Sequence, residues 1–128
     1  MKSLSILFID DDEIERLKFK KVCESFNKDI SILEADNGKN ALVLLSNKTT
    51  TFDLIVSDLN MPVMDGFRFV ELFTKTEEFK KYKPQIVVLS TSLIPEEKEK
   101  IKANKNIIKF LNKPLTKEIL SDFLLTNF

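Results

Sequence analysis

The sequence contains no histidine, and this absence excludes a large part of enzyme chemistry. Without an imidazole the chain has no Ser-His or Cys-His nucleophile pair, no histidine ligand for a metal ion and no side chain that shuttles protons near neutral pH. Any chemistry that the chain carries out must therefore use carboxylates, lysine, hydroxyl groups or a hard cation.

Cysteine and long apolar runs are equally scarce. The single Cys23 has no partner for a disulfide or a cysteine zinc site, and it lies on the apolar side of a predicted helix, which indicates a core residue in a reducing compartment. No apolar run approaches the roughly 18 residues of a membrane span, and the first residues do not continue into a secretory signal. We therefore expect a cytoplasmic protein without membrane contact.

Neither sign of charge dominates, since 20 basic residues face 20 acidic ones. A balanced chain has no overall field that draws it to nucleic acid, so we expect no direct DNA or RNA contact. With 128 residues and 43% hydrophobic content, the chain has the size and the apolar side chains for one domain with a sizeable core. The prediction is a single domain over residues 1–128.

Short apolar runs alternate with helical patterns along the whole chain. The run Leu54, Ile55 and Val56 is typical of a strand buried on both faces of a parallel sheet. Five strands are predicted, over residues 4–9, 31–35, 54–58, 86–89 and 107–111. Five helices are predicted, over residues 13–26, 39–46, 67–73, 95–103 and 116–126, while residues 77–83 suggest a solvated charged extension. Short connections between these elements predict an α/β fold with helices on both faces of a parallel sheet.

Polar side chains lie at or just after the carboxyl ends of four of the five predicted strands. Asp10 and Asp11 follow the first strand, Asp58 ends the third, Ser90 follows the fourth and Lys113 follows the fifth. Ligands of such sheets bind at the carboxyl ends of the strands, so these residues are expected to converge there. Three carboxylates in one pocket need a cation, and Mg²⁺ fits their chemistry. With a lysine and a hydroxyl beside them, they could direct a phosphoryl group onto a carboxylate.

In this order and at these strand ends, Asp10-Asp11, Asp58 within the stretch Asp-Leu-Asn-Met-Pro-Val-Met-Asp-Gly, Val-Leu-Ser ending at Ser90, and Lys113-Pro114 resemble the signature of response-regulator receiver domains. The resemblance covers essentially the whole chain. It implies a flavodoxin-like architecture with strand order 2-1-3-4-5. It also implies a chemotaxis-regulator-like receiver, a phosphoprotein of two-component signalling. Because the chain ends at Phe128, directly after the last predicted helix, we expect a stand-alone receiver without an output domain.

The resemblance assigns roles to individual positions. Asp58 is similar to the phosphoacceptor, and Mg²⁺ would be bound by Asp10, Asp11, Asp58 and the backbone carbonyl of Asn60. By the same resemblance, Asn60 and Ser92 flank the attack path and tune the lifetime of the phosphoryl group.

Two further positions resemble the switch residues of the family, namely the hydroxyl of Ser90 and the aromatic ring of Phe110. Lys113 resembles the lysine that contacts the phosphoryl group. Phe110 lacks the hydroxyl of the tyrosine often found at this position, so switching is expected to depend on packing alone.

The implied partners are a histidine kinase or histidine phosphotransfer protein as donor and a downstream protein as target, with the chain a monomer or weak dimer. Because the chain has no histidine, the donor must be another molecule. Output is expected through the face formed by the fourth predicted helix, the fifth strand and the fifth predicted helix. The chain is then not an enzyme beyond self-catalysed phosphotransfer and dephosphorylation.

Two alternatives stay open. The chain could be a receiver-like adaptor that is never phosphorylated, although the complete acidic set and Lys113 count against this. It could instead be a phosphatase that uses Asp58 as a transient nucleophile. Asn60 stands where such enzymes would need a second aspartate as general acid, so this interpretation ranks last.

Overall fold

The computed structural model describes residues 3–26, 29–47, 50–91 and 93–128. Five strands and six helices follow one another along the chain. The strands are β1 (Leu4–Ile9), β2 (Ile30–Ala35), β3 (Leu54–Asp58), β4 (Gln85–Ser90) and β5 (Ile107–Asn112). The helices are α1 (Glu13–Glu24), α2 (Gly38–Leu45), α3 (Gly66–Phe73), α4 (Glu77–Tyr82), α5 (Pro95–Ala103) and α6 (Lys117–Asn127). Within these residues no helix is long and apolar enough to cross a lipid bilayer.

The strands form one parallel sheet in the order β2-β1-β3-β4-β5, which confirms the predicted topology. Every residue of the central strand β3 is buried, as its uninterrupted apolar run predicted. The edge strands β2 and β5 contain exposed residues instead. The site-bearing strands β1, β3 and β4 are therefore the best-covered part of the sheet.

A hydrophobic core lies on each face of the sheet. On one face, α2 and α3 pack Ala41, Phe69 and Phe73 against β1, β3 and β4. On the other face, α1 and α6 bury Phe19, Cys23 and Phe123. Burial of such side chains stabilises the fold by roughly 1.5–3 kcal/mol each. The two cores hold the strands from both sides and so fix the positions of their carboxyl ends.

Helix α4 lies where we expected a solvated extension or loop. The segment contains no buried residue, as expected, but its helical conformation was not predicted. Its first turn is capped by Thr76, whose hydroxyl accepts a hydrogen bond from the backbone N–H of Phe79 at 3.2 Å. Phe79 packs edge-on against Phe73, with ring centroids 5.5 Å apart. One capping residue and one apolar anchor thus stabilise a short helix in a segment that is otherwise charged.

Candidate functional site

The carboxyl ends of β1 and β3 bring two acidic side chains together inside the protein. Asp10 follows the last residue of β1 and is fully buried, and Asp58 is the last residue of β3 and only 6% exposed. The two strands are neighbours, with Ile9 in register with Ser57, so both side chains emerge at the same edge of the sheet. Burial of two carboxylates at this point is costly unless cations compensate them.

A third acid and a lysine complete the cluster. Carboxylate oxygens of Asp10, Asp11 and Asp58 all lie within 4.8 Å of one another, and Asp11 is the exposed member. The Nζ atom of Lys113 lies 2.9 Å from Oδ2 of Asp10 and 3.3 Å from Oδ2 of Asp58. Four residues from three different strand ends therefore surround one small volume.

Lys113 reaches this position from the end of β5. Its backbone N–H donates to the carbonyl oxygen of Ser90 at 2.9 Å, which continues the β4–β5 pairing beyond the strand. The Lys113–Pro114 peptide bond is cis. The side chain of Lys113 reaches the acids that follow β1 and end β3.

The electrostatics of the cluster set the ionisation of Asp58 and Lys113. Burial raises the pKa of Asp58, and the charge of Asp10 raises it further, while Lys113 and the backbone of Asn60 act in the opposite direction. Burial alone would lower the pKa of Lys113, but hydrogen bonds and charges from Asp10 and Asp58 outweigh burial and raise that pKa. Lys113 is therefore held in its charged form, and the raised pKa of Asp58 makes it more basic than an ordinary aspartate.

The donor set suits a hard divalent cation. When ionised, the three carboxylates and the ammonium group of Lys113 leave about two uncompensated negative charges. The ligand atoms that the three aspartates offer to a metal ion are carboxylate oxygens. Mg²⁺ prefers a few carboxylate oxygens together with water and phosphate oxygens. The exposed side chain of Asp11 leaves one side of the cluster open to solvent and to a ligand.

The loop between β3 and α3 folds back tightly over Asp58. A Cβ atom on Gly66 would lie 2.5 Å from the carbonyl oxygen of Asp58, so only glycine fits there. Asp65 caps α3 by accepting a hydrogen bond from the N–H of Arg68 at 2.8 Å. Val63 has a φ of 71°, in the left-handed region that β-branched residues avoid.

The remaining predicted residues surround the cluster at different depths. Ser90 is buried at the end of β4, one residue beyond Leu89, which pairs with Asp58. Asn60 is exposed, and Phe110 is half-buried against the core that contains α2 and α3. Ser92 lies outside the described residues.

Arg16 is a neighbour of this site that the sequence did not single out. Its Nη1 donates to the backbone carbonyl of Asp10 at 2.8 Å. In the sequence Arg16 is one of several basic residues on a predicted helix, and no pattern distinguishes it from a solvated lysine or arginine. The contact arises only because α1 packs beside the end of β1.

Comparison with known proteins identifies the family. The family model of the response regulator receiver domain matches residues 6–124 of the chain. The chain belongs to this family. Receiver domains are phosphoacceptors of two-component signalling, which agrees with the buried aspartate at the end of β3.

Solved structures and curated sequences agree with this assignment. The chain resembles the chemotaxis protein CheY4 of Vibrio cholerae, with a TM-score of 0.83, 29% identity, and coverage of 99% of this chain and 100% of that one. The fold is also that of the receiver domain of the Pseudomonas aeruginosa sensor histidine kinase PA1611, described with a magnesium ion in its active-site cleft. That match has a TM-score of 0.81 at 18% identity and covers 98% of both chains.

Among curated sequences, the sensor histidine kinase CheAY of Helicobacter pylori is 28% identical over 116 residues. The match covers 91% of this chain but only 14% of CheAY. This receiver domain thus spans a small part of that relative.

Proposed function

We propose that this receiver domain accepts a phosphoryl group on Asp58 from the phosphohistidine of a partner protein, in a step that requires Mg²⁺. The observation that carries this proposal is the pairing of a buried aspartate of raised pKa with Lys113 at 3.3 Å, beside two further acids. Perturbed titratable groups that converge in one place are typical of reactive sites. Belonging to the receiver family supports the same role.

The chemistry follows from the arrangement of the side chains. A carboxylate oxygen of Asp58 attacks phosphorus, an acyl–phosphate bond forms, the P–N bond breaks, and the imidazole nitrogen of the donor keeps the electron pair. The ammonium group of Lys113 stabilises negative charge on the phosphoryl oxygens. The hydroxyl of Ser90, which ends the neighbouring strand β4, would contact the phosphoryl group of the product.

We propose that Asp10, Asp11, Asp58 and the backbone carbonyl of Asn60 hold the Mg²⁺ ion. When bound, Mg²⁺ supplies positive charge that offsets the acids and draws the phosphoryl oxygens toward Asp58. Asp10 is fully buried and fixed by its hydrogen bonds, whereas Asp11 is exposed at the open side of the cluster. The magnesium ion described for the PA1611 receiver supports this choice of metal.

The surface around the strand ends supports a protein as the phosphodonor. Ile14, Val63 and Ile94 are exposed by 62%, 77% and 55%, and they belong to the segments that follow β1, β3 and β4. Pro114 is exposed after β5. Exposed apolar side chains in the segments beside a polar pocket are typical of a surface that docks another protein.

Phosphorylation would then be reported through packing. Phe110 in β5 is half-buried and has no hydroxyl, so the position of its ring depends on packing against neighbouring side chains and not on a hydrogen bond. The neighbouring surface is formed by α5, β5 and α6, which correspond to the fourth predicted helix, the fifth strand and the fifth predicted helix. We propose that a downstream protein binds this surface after a shift in population between two conformations.

A small phosphodonor tests the chemistry of Asp58 directly. Incubation of the chain with a small acyl phosphate and Mg²⁺ should add one phosphoryl group that is stable in acid and labile in base. Asp58→Asn should abolish the adduct, and Asp53→Asn, which changes an exposed aspartate at the other end of β3, should keep it. An adduct that persists in Asp58→Asn would refute the assignment, and no adduct in the wild-type chain would favour the unphosphorylated adaptor.

A further inference from the structure

The backbone N–H and the backbone carbonyl of Asp10 are both connected to strand β2, although Asp10 lies beyond the end of β1. Its N–H donates to the carbonyl oxygen of Ala35, the last residue of β2, at 3.1 Å. Because β2 ends at Ala35, the strand supplies no further ladder partner for the carbonyl of Asp10. The guanidinium group of Arg16 takes that place, with Nη1 2.8 Å from the carbonyl oxygen.

Arg16 is itself fixed by β2. Its Nε lies 3.2 Å from Oε1 of Glu34, and the Nζ of Lys20 lies 2.7 Å from Oε2 of the same carboxylate. The side chain of Arg16 is only 18% exposed. A planar guanidinium group has several donors in a rigid arrangement, so it can contact a carbonyl and a carboxylate at once, which an ammonium group does less well.

The position of the Asp10 main chain decides where its carboxylate points. The side chain is short and fully buried, and both of its oxygens have partners. Oδ1 accepts from the N–H of Asp12 at 3.0 Å, and Oδ2 accepts from Lys113 at 2.9 Å. A shift of the main chain would therefore move the carboxylate relative to Asp58 and Lys113.

We propose that Arg16 is a positioning residue of the metal site: by joining the Asp10 carbonyl to Glu34 of β2, it holds the Asp10 carboxylate in place for a divalent cation. This proposal rests on the Mg²⁺ site proposed above. Partners of metal-ligating residues commonly change metal affinity by about 10-fold to 100-fold when they are removed.

Whether removal of Arg16 weakens or strengthens the binding of Mg²⁺ distinguishes a positioning role from a purely electrostatic one. Arg16 is a cation, so if it acted only through its charge, removing it would strengthen the binding of Mg²⁺. If Arg16 positions Asp10, removing it weakens binding, because the carboxylate loses its fixed direction. The two effects have opposite signs and the same measurement distinguishes them.

The test compares Arg16→Met and Arg16→Lys with Lys20→Met. The control removes one positive charge from the same Glu34 carboxylate but leaves the contact with Asp10 intact. Titration calorimetry with Mg²⁺ alone should show binding weakened about tenfold in Arg16→Met. Arg16→Lys keeps the charge but loses the rigid set of donors of the guanidinium group, so it should also bind Mg²⁺ more weakly than wild type. Lys20→Met should bind Mg²⁺ within about twofold of the wild-type affinity.

A second readout needs no metal. The N–H of Asp12 bonds to the Asp10 carboxylate, so its hydrogen exchange, measured by NMR without Mg²⁺, should become several-fold faster in both Arg16 variants and not in Lys20→Met. Unchanged or tighter Mg²⁺ binding together with unchanged Asp12 exchange would overturn the inference. If the wild-type chain bound no Mg²⁺, the proposed metal site would fail, and Asp12 exchange would still decide the role of Arg16.

Discussion

Replacement of Val63 by asparagine is expected to raise the free energy of unfolding, because the present residue is poorly suited to its backbone. Val63 has a φ of 71°, and the N–H of Met64 donates to the carbonyl of Pro62 at 2.7 Å, which closes a three-residue turn centred on Val63. Such turns with positive φ are rare and strained. Asparagine tolerates this region far better than a β-branched residue does.

The size of the gain can be estimated from conformation and exposure. A non-glycine residue held in a sparsely populated region costs on the order of 1–3 kcal/mol. The side chain of Val63 is 77% exposed, so its loss gives up only roughly 0.5 kcal/mol of burial. Since asparagine removes part of the strain, the net gain should be about 1 kcal/mol, equivalent to roughly 4 °C in Tm for a chain of this length.

Urea unfolding followed by circular dichroism measures this directly, since the chain has no tryptophan for fluorescence. Val43→Asn is the matched control, because Val43 is 64% exposed but lies inside helix α2. The control should gain nothing, since asparagine is no better than valine in a helix. If Val63→Asn were no more stable than wild type, the strain assigned to this turn would be refuted.

Three other substitutions or treatments test the local structure. Gly66→Ala should lower the free energy of unfolding by roughly 1–3 kcal/mol, because the new Cβ would meet the carbonyl of Asp58 at 2.5 Å; a loss below about 0.5 kcal/mol in urea unfolding would contradict this contact. Burial raises the pKa of Cys23 to about 12, so iodoacetamide at mildly alkaline pH should label the thiol only after unfolding, and rapid labelling of the folded chain would argue against its burial. Hydrogen bonding and charge from Lys20, together with Arg16, hold the pKa of Glu34 below its ordinary value of 4.5. The stability contributed by the ionised group is therefore present above 4.5 and lost as the pH falls through the lowered pKa. The stability difference between wild type and Glu34→Gln should shrink on acidification below 4.5, and a difference that stays constant down to strongly acidic pH would speak against these ion pairs.

Local sequence patterns were sufficient to predict the sheet and the convergence of acidic residues and Lys113 at one of its edges. The apolar run at residues 54–56 marks a strand buried on both faces, and the same signal recurs before Asp10 and Ser90. Once alternating strands and helices imply a parallel sheet, the polar residues after the strands must meet at one edge. Asp10, Asp58 and Lys113 do meet there, with Lys113 bonded to both acids.

Features that depend on tertiary packing could not be predicted in this way. Helix α4 contains mostly charged residues and becomes helical through the cap at Thr76 and the contact of Phe79 with Phe73. The contact of Arg16 with the Asp10 carbonyl likewise needs α1, β1 and β2 in their final arrangement. The contacts of Phe79 and Arg16 involve no spacing or composition that a sequence pattern can reveal. The cap at Thr76, followed by acids and then lysines, is by contrast a local signal for a helix.

Transfer from a protein phosphohistidine to Asp58 tests the central claim most directly. A histidine phosphotransfer domain that carries a labelled phosphoryl group on its histidine is mixed with the chain. The label is followed on both proteins, once with Mg²⁺ and once with a chelator. We predict that the label moves to the wild-type chain only with Mg²⁺ and maps to Asp58, while Asp58→Asn remains unlabelled. Transfer that persists with the chelator, or in Asp58→Asn, would contradict it.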